Sequence, residues 1–114
     1  MSTHTTAWPQ DDERRVERHL VKTCQRGGML QYKFTSPGRR GVPDRLVLHP
    51  RWPGQVLFVE VKRPTTELRP QQVAEHQRMI RHGAVVVTVH TREEVEQVLA
   101  SFARHGTQPP APDL

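Results

Sequence analysis

The chain has 114 residues, which is enough for one domain with a single core of modest size. Its net charge of +5 and a pI of about 10.3 favour a polyanionic partner, and its single cysteine excludes an intrachain disulfide. It contains neither a signal-peptide-like N-terminus nor an apolar run of the roughly 20 residues that span a membrane, so we expect a cytoplasmic protein.

The polar residues 1–10 predict a flexible N-terminal arm ahead of a domain over 11–106. The first helix is expected to begin near Asp11, where acidic residues suit the positive end of a helix, and to stop at Gly27-Gly28. Its buried side is formed by residues at helical spacing, namely Val16, Leu20 and Cys24.

Three strands are expected next, over 29–35, 42–49 and 55–62. The first alternates and places Leu30, Tyr32 and Phe34 on one face. A Gly/Pro-rich loop leads to the second strand, and the second and third strands are close enough in sequence to pair as a hairpin.

The second half of the chain predicts a helix, a strand and a helix. Pro70 suits the first position of a helix that ends at His82-Gly83, and its buried side is expected to consist of Val73, Met79 and Ile80. The apolar run 84–90 predicts a strand that is buried on both faces. A capping box from Thr91 to Glu94 opens a last helix, which Gly106 ends before a Pro-rich tail, 107–114, that is expected to be disordered.

This order, αβββαβα, predicts the α/β class. The link from the third strand to the fourth through a helix is expected to be a right-handed crossover. We therefore expect a mixed sheet with helices on both sides.

Three ionisable residues lie on two neighbouring strands: Asp44, Glu60 and Lys62. Taken singly, Asp44 suits a turn or a cap, and Glu60 with Lys62 suits an edge strand with one solvated face. Together they favour a partner that compensates charge on half-buried strands, and a divalent metal is such a partner. Two carboxylates are enough protein ligands for Mg²⁺ or Mn²⁺, which activates water and offsets charge on a phosphate.

The role of Lys62 stays open at this level. It suits orienting the attacking water, deprotonating it, or stabilising the transition state. Basic residues near Asp44 are candidates for holding DNA phosphates, with a solvated basic loop as the alternative. They are Lys33, Arg39, Arg40 and Arg45, and the patch would be extended by Arg63 and Arg69.

The series Pro43-Asp44 followed by Glu60-Val61-Lys62 resembles the PD-(D/E)xK nuclease superfamily. More narrowly, the chain is similar to the VRR-NUC family, in its stand-alone phage and bacterial form. The matching segments are Gly28 to Lys33, Ser36-Pro37-Gly38, Gly41 to Arg45, Phe58 to Lys62, and Leu68 to Gln72, continuing to Gly83. The resemblance implies a restriction-endonuclease-like core.

The resemblance also implies roles for individual residues. Asp44, Glu60 and the carbonyl of Val61 would bind the metal, and Lys62 would be catalytic. The family carries a glutamate on its first helix, for which Glu17 is preferred over Glu13. Gln72 matches a glutamine that contacts the site or the DNA, although without the family an exposed residue in the first helical turn is the simpler reading.

We therefore expect a metal-dependent DNA endonuclease that selects branched DNA such as Holliday junctions or flaps, in keeping with DNA repair. Two symmetric cuts in a junction need two active sites, so we expect a homodimer. The alternative is a non-catalytic or partner-dependent nucleic-acid-binding module on the same fold. No small-molecule cofactor, membrane association or structural zinc site is expected. His76 follows Gln72 by one helical turn, which suits a residue that lines the site, but an exposed position on the helix is the preferred expectation.

Overall fold

Seven elements follow one another in the predicted order αβββαβα in the computed structural model, which describes residues 12–107. They are α1 (Glu13–Arg26), β1 (Leu30–Lys33), β2 (Arg45–Leu48), β3 (Leu57–Val61), α2 (Pro70–Arg81), β4 (Val85–Val89) and α3 (Arg92–His105). The predicted arm, 1–10, and residues 108–114 of the predicted tail lie outside the described residues. Thr107 begins that tail, and its backbone N–H donates to Gln55 Oε1 at 2.7 Å.

The four strands form one mixed sheet in the order β1-β2-β3-β4. The first two pairs are antiparallel, and β3 pairs with β4 in parallel, with α2 connecting them. In the registers, Arg45 lies opposite Val59, and Val61 lies opposite Val89. The predicted hairpin, crossover helix and mixed sheet are confirmed.

One face of this sheet, here called the core face, packs under α1 and α3. Its buried residues alternate along the strands because successive side chains point to opposite sides. They are Val47, Leu57, Val59, Val61 and Val89, and they join Val16, Leu20 and Cys24 of α1 and Val95, Leu99 and Phe102 of α3 in a single cluster. Burial raises the pKa of the Cys24 thiol to about 11, as expected for a small core residue.

The opposite face, here called the open face, is covered only in part, because α2 packs mainly on β4. Leu30 and Tyr32 share this face as predicted, since they pair with Leu48 and Leu46. Their side of β1 is not covered, however, and Leu30 is 57% and Tyr32 51% exposed. An apolar alternation therefore predicted the orientation of β1 correctly without predicting burial.

The predicted buried side of α2 is wrong. Val73 and Ile80 are exposed and Met79 is half-buried, whereas Glu75 and His76 are the buried residues of this helix. The reason is that α2 lies over the part of the open face that carries Glu60, so its inward side is polar.

The helix boundaries follow local capping chemistry. α1 begins later than Asp11 because Asp12 is its N-cap, and the Asp12 carboxylate accepts the Arg15 N–H at 2.8 Å. Thr91 caps α3 in the same way, accepting the Glu94 N–H at 3.0 Å. No helix between residues 12 and 107 is long and apolar enough to cross a bilayer.

Candidate active site

Asp44 and Glu60 are neighbours on the open face. Because Arg45 pairs with Val59, the next positions outward along the two antiparallel strands are Asp44 and Glu60. The Phe34 N–H donates to the Asp44 carbonyl at 2.7 Å, which continues the pairing of β1 with β2 to this point. The two carboxylates that the sequence singled out are therefore brought together by strand register.

Lys62 follows on the same side of the chain, two residues beyond Glu60. Its N–H donates to the Val89 carbonyl at 3.0 Å, which holds the end of β3 to β4. Glu60 is only 7% and Lys62 only 9% exposed, so both charged groups are removed from water. Burial of charge is costly unless it is compensated, and this concentration of buried ionisable groups makes the open face the candidate functional site.

The electrostatics of the two carboxyl groups are unfavourable for full ionisation. Burial, followed by the charge of Asp44, raises the pKa of Glu60 to about 7, with Glu13 and Glu17 adding to the rise and Lys62 opposing it. Burial, followed by Glu17, also raises the pKa of Asp44. Both shifts disfavour the ionised carboxylates, which a bound cation would stabilise.

The donor atoms fit a hard divalent cation. Asp44 Oδ1 is buried and has no hydrogen-bond partner among residues 12–107. Together with the Glu60 carboxylate and the backbone carbonyl of Val61, it could hold Mg²⁺ or Mn²⁺. Across residues 12–107 no group of three or more His, Cys, Asp or Glu side chains is arranged to hold a metal, so water would complete the coordination of an ion held here.

Gln72 connects the site to α2. Its Nε2 donates to Glu60 Oε2 at 3.2 Å, and its Oε1 accepts the Arg69 N–H at 2.9 Å. One side chain thus completes the start of the helix and restrains one oxygen of the Glu60 carboxylate. The structure places Gln72 at the site and not on the solvated surface.

The expectation that His76 is exposed is wrong. It is 5% exposed, and its Nε2 lies 3.8 Å from Glu60 Oε1. Burial lowers the pKa of His76, with the nearby Lys62 adding to the shift and a hydrogen bond with the Gly41 backbone and the charge of Glu75 opposing it. The available signal was its spacing, one helical turn after Gln72, which places both on the side of α2 that faces Glu60.

The loop between β1 and β2 is fastened to α2 beside the site. Arg39 Nε donates to Glu75 Oε1 at 2.7 Å. Gly41 has φ +87°, and a Cβ at this position would lie 2.5 Å from the carbonyl oxygen of Gln71. A glycine is required here both by the backbone conformation and by the close approach of the helix, so the segment leading to Asp44 is held in place.

The remaining predicted residues separate into buried and exposed groups. Arg45 points to the core side, where it donates to Glu17 Oε2 at 3.2 Å and Gln31 Oε1 at 2.8 Å, and its side chain is 14% exposed. These contacts join Arg45 to β1 and α1 and hold Glu17 near the site, and its predicted DNA contact stays a prediction. Four predicted DNA-binding residues are exposed, one of which, Arg39, also binds Glu75: Lys33, Arg39, Arg40 and Arg63.

Comparisons with known proteins identify the family and agree with the fold. A model of the family described as "VRR-NUC domain" matches residues 1–93. The chain belongs to the VRR-NUC family. A solved structure described as a VRR_NUC domain superposes with a TM-score of 0.70 at 35% identity, covering 79% of this chain and 96% of that one.

The VRR-NUC chain also has a curated phage relative. The protein named "Putative nuclease p44", from Acyrthosiphon pisum secondary endosymbiont phage 1, is 44% identical over 78 residues. The match covers 68% of this chain and 82% of the relative. The resemblance drawn from the Pro43-Asp44 and Glu60-Val61-Lys62 segments is thus confirmed at the level of the family and the nuclease class.

Proposed function

We propose that this VRR-NUC protein is a Mg²⁺- or Mn²⁺-dependent endodeoxyribonuclease that selects branched DNA such as Holliday junctions or flaps. The observation that carries the proposal is the carboxylate pair of buried Glu60 and half-buried Asp44, with Lys62 beside it. The Oδ1 atom of Asp44 has no hydrogen-bond partner among residues 12–107. Such a group is unfavourable without a cation and is chemically suited to phosphodiester hydrolysis. A cytoplasmic location, in a bacterium or a phage-infected cell, would give it access to this DNA.

In this mechanism the protein positions the scissile phosphate and the attacking water. A bound divalent ion supplies Lewis-acid activation of the phosphate and a more acidic water. Asp44, Glu60 and the Val61 carbonyl would hold the ion, and Gln72 restrains the Glu60 carboxylate through its 3.2 Å hydrogen bond. Lys62 orients or deprotonates the water or stabilises the charge that develops on the phosphate.

Glutamates of α1 contribute negative charge to the candidate active site. Glu17 raises the pKa of both carboxyl groups, whereas Glu13 is a cause only for Glu60. Glu17 is also fixed by Arg45. These facts support Glu17 as the helix-one glutamate of the family, where it would help to orient the attacking water.

Exposed basic residues around the loop before Asp44 would hold the DNA backbone near the metal. Lys33, Arg40 and Arg63 are exposed, and Arg39 keeps part of its guanidinium in solvent while it binds Glu75. Contacts of this kind position DNA without reading its sequence, which suits an enzyme that recognises the shape of a branch.

A homodimer fits this activity, because two symmetric cuts in a four-way junction need two sites. The uncovered half of the open face supports it: Leu30 and Tyr32 expose apolar surface on the edge strand β1. We expect light scattering to give twice the chain mass for the native protein and the chain mass for Leu30→Glu/Tyr32→Glu. A native monomer with full junction-cutting activity at the same concentration would contradict the dimer.

The direct test is cleavage of end-labelled single-stranded, duplex, flap and four-way-junction DNA with Mg²⁺, Mn²⁺ or EDTA. The native protein should cut with either metal, prefer the branched substrates and lose activity in EDTA. Asp44→Asn should bind the same DNA without cutting it. Binding without cleavage by the native protein under every metal condition would instead favour a non-catalytic or partner-dependent module.

A further inference from the structure

A second basic surface lies between α1 and α3, apart from the loop before Asp44. It is an open groove of about 350 Å³, and all of its lining residues are basic: Arg15, Arg18, His19, Lys22 and Arg92. This surface is called here the α1–α3 groove.

The charges of α1 are segregated between two sides of the helix. Its five arginine and lysine residues outnumber its two glutamates. Glu17 lies on the side of α1 where it accepts a hydrogen bond from Arg45. The basic residues that line the α1–α3 groove recur at helical spacing on another side: Arg15, Arg18 and Lys22. A solvated helix face alone does not explain why the basic residues of α1 converge with Arg92 of α3.

Acidic residues neutralise only part of this surface. Arg15 lies 3.8 Å from Asp12, and His19 is bound to Glu96 at 2.8 Å, both at solvent-exposed carboxylates. Within residues 12–107 neither Arg18 nor Lys22 has an acidic partner, and both are exposed. Two full positive charges therefore remain available for an anionic ligand.

The α1–α3 groove opens at the same end of the sheet as the candidate active site. Arg92 follows Val89 by three residues, which limits their Cα separation to about 11 Å. Val89 is paired with Val61, one strand spacing of about 5 Å away. Arg92 and Val61 are thus separated by at most about 16 Å, which is roughly five base pairs along B-DNA at 3.4 Å per step.

We propose that the α1–α3 groove binds the phosphate backbone of a duplex DNA arm whose scissile strand lies in the active site. This rests on the proposed nuclease function, because it takes the same DNA as the ligand. Several basic side chains at this separation would contact phosphates a few nucleotides from the cut. They would thereby fix the direction in which the DNA arm extends from the active site. Binding here is independent of base sequence and sensitive to salt.

The test measures binding and not cleavage. Fluorescence anisotropy with a labelled 30-base-pair DNA duplex in EDTA would give the affinity of the full chain across a series of salt concentrations. The groove variant is Arg18→Gln/Lys22→Gln. The matched control is Arg81→Gln/Arg104→Gln, which removes two exposed charges from the C-terminal ends of α2 and α3, at the opposite end of the sheet. Melting temperatures would show that both variants are folded.

The groove variant should bind more weakly, and its slope of log K against log salt should flatten by about 2, one for each lost phosphate contact, while the control keeps the native slope. Equal slopes for the groove variant and the control would overturn the groove but leave the nuclease intact. In a parallel titration with a 30-base-pair RNA duplex, a loss of affinity seen with RNA and not with DNA would overturn the DNA assignment. A native protein that binds no DNA would overturn the proposed function as well.

Discussion

The two faces of the sheet differ in how the same strands are used. On the core face, residues such as Val59 and Val61 are buried under two helices by apolar contacts alone. On the open face, the residues between and beyond them, Glu60 and Lys62, are also buried but carry ionisable groups. Alternation thus lets one strand stabilise the fold with one side and hold a reactive group with the other.

The candidate site depends on the core face for its rigidity. β3 is anchored from below by its valines, so the side chains of Glu60 and Lys62 are fixed where an exposed loop would let them move into water. The open face contributes the remaining restraints from α2, through Gln72 and His76. The core face supplies most of the buried apolar contacts, and the open face carries the ionisable residues of the candidate site.

Comparing two lysines gives the largest expected effect. Lys62→Ala should lower kcat for DNA cleavage by roughly 10²–10⁴-fold, since it removes a group positioned at the reacting phosphate. Lys33→Ala removes an exposed lysine from the edge strand β1 and should change kcat by less than about threefold, with its effect on KM. Equal losses of kcat in the two variants would contradict the assignment of Lys62.

The anchoring of the loop before Asp44 can be tested with two glycines. Gly41→Ala should destabilise the protein by about 2–4 kcal/mol, because it combines an unfavourable positive φ with a clash against Gln71. Gly54 has φ +79° but open space around it, so Gly54→Ala should cost about 1 kcal/mol. Urea denaturation measures both, and equal costs would show that the contact with α2 is unimportant.

The buried charge of Glu60 should weaken the metal-free fold. Because its pKa is raised from 4.5 to about 7, the folded state binds a proton more tightly than the unfolded chain, so stability falls as pH rises between these values. In EDTA at pH 8, Glu60→Gln should therefore stabilise the protein by on the order of 1–3 kcal/mol.

The gain from Glu60→Gln should vanish at pH 4, where the carboxyl group is protonated in both states. Glu67→Gln, at an exposed position, serves as the control and should change stability by less than about 0.5 kcal/mol at either pH. Denaturant melts in EDTA measure these differences. A large loss of stability in Glu60→Gln would indicate a structural ion pair with Lys62.

Much of the fold was predictable because it depends on local patterns. Helical spacing identified Val16, Leu20 and Cys24 as buried, and Pro70 and Gly106 marked helix ends correctly. The buried side of α2 was not predictable in this way. Its inward residues are polar, and Glu75 and His76 are buried only because the helix is placed over Glu60 in the tertiary structure.

The candidate site was predictable in part for the same reason. Strand alternation put Glu60 and Lys62 on one side, but the pairing of Asp44 opposite Glu60 required the register of β2 with β3. The engagement of Arg45 with Glu17 could not be read from the sequence, because it joins residues of α1 and β2 through the packing of the core face.

A calorimetric titration with Mn²⁺ tests directly whether the open face holds a divalent metal at Asp44 and Glu60. The native protein and the Glu67→Gln control should bind the ion with the same affinity, and Asp44→Asn and Glu60→Gln should bind it at least about tenfold more weakly, as expected for the loss of a ligand or its orientation. Equal affinity in all four proteins, or no binding by the native protein, would contradict the account.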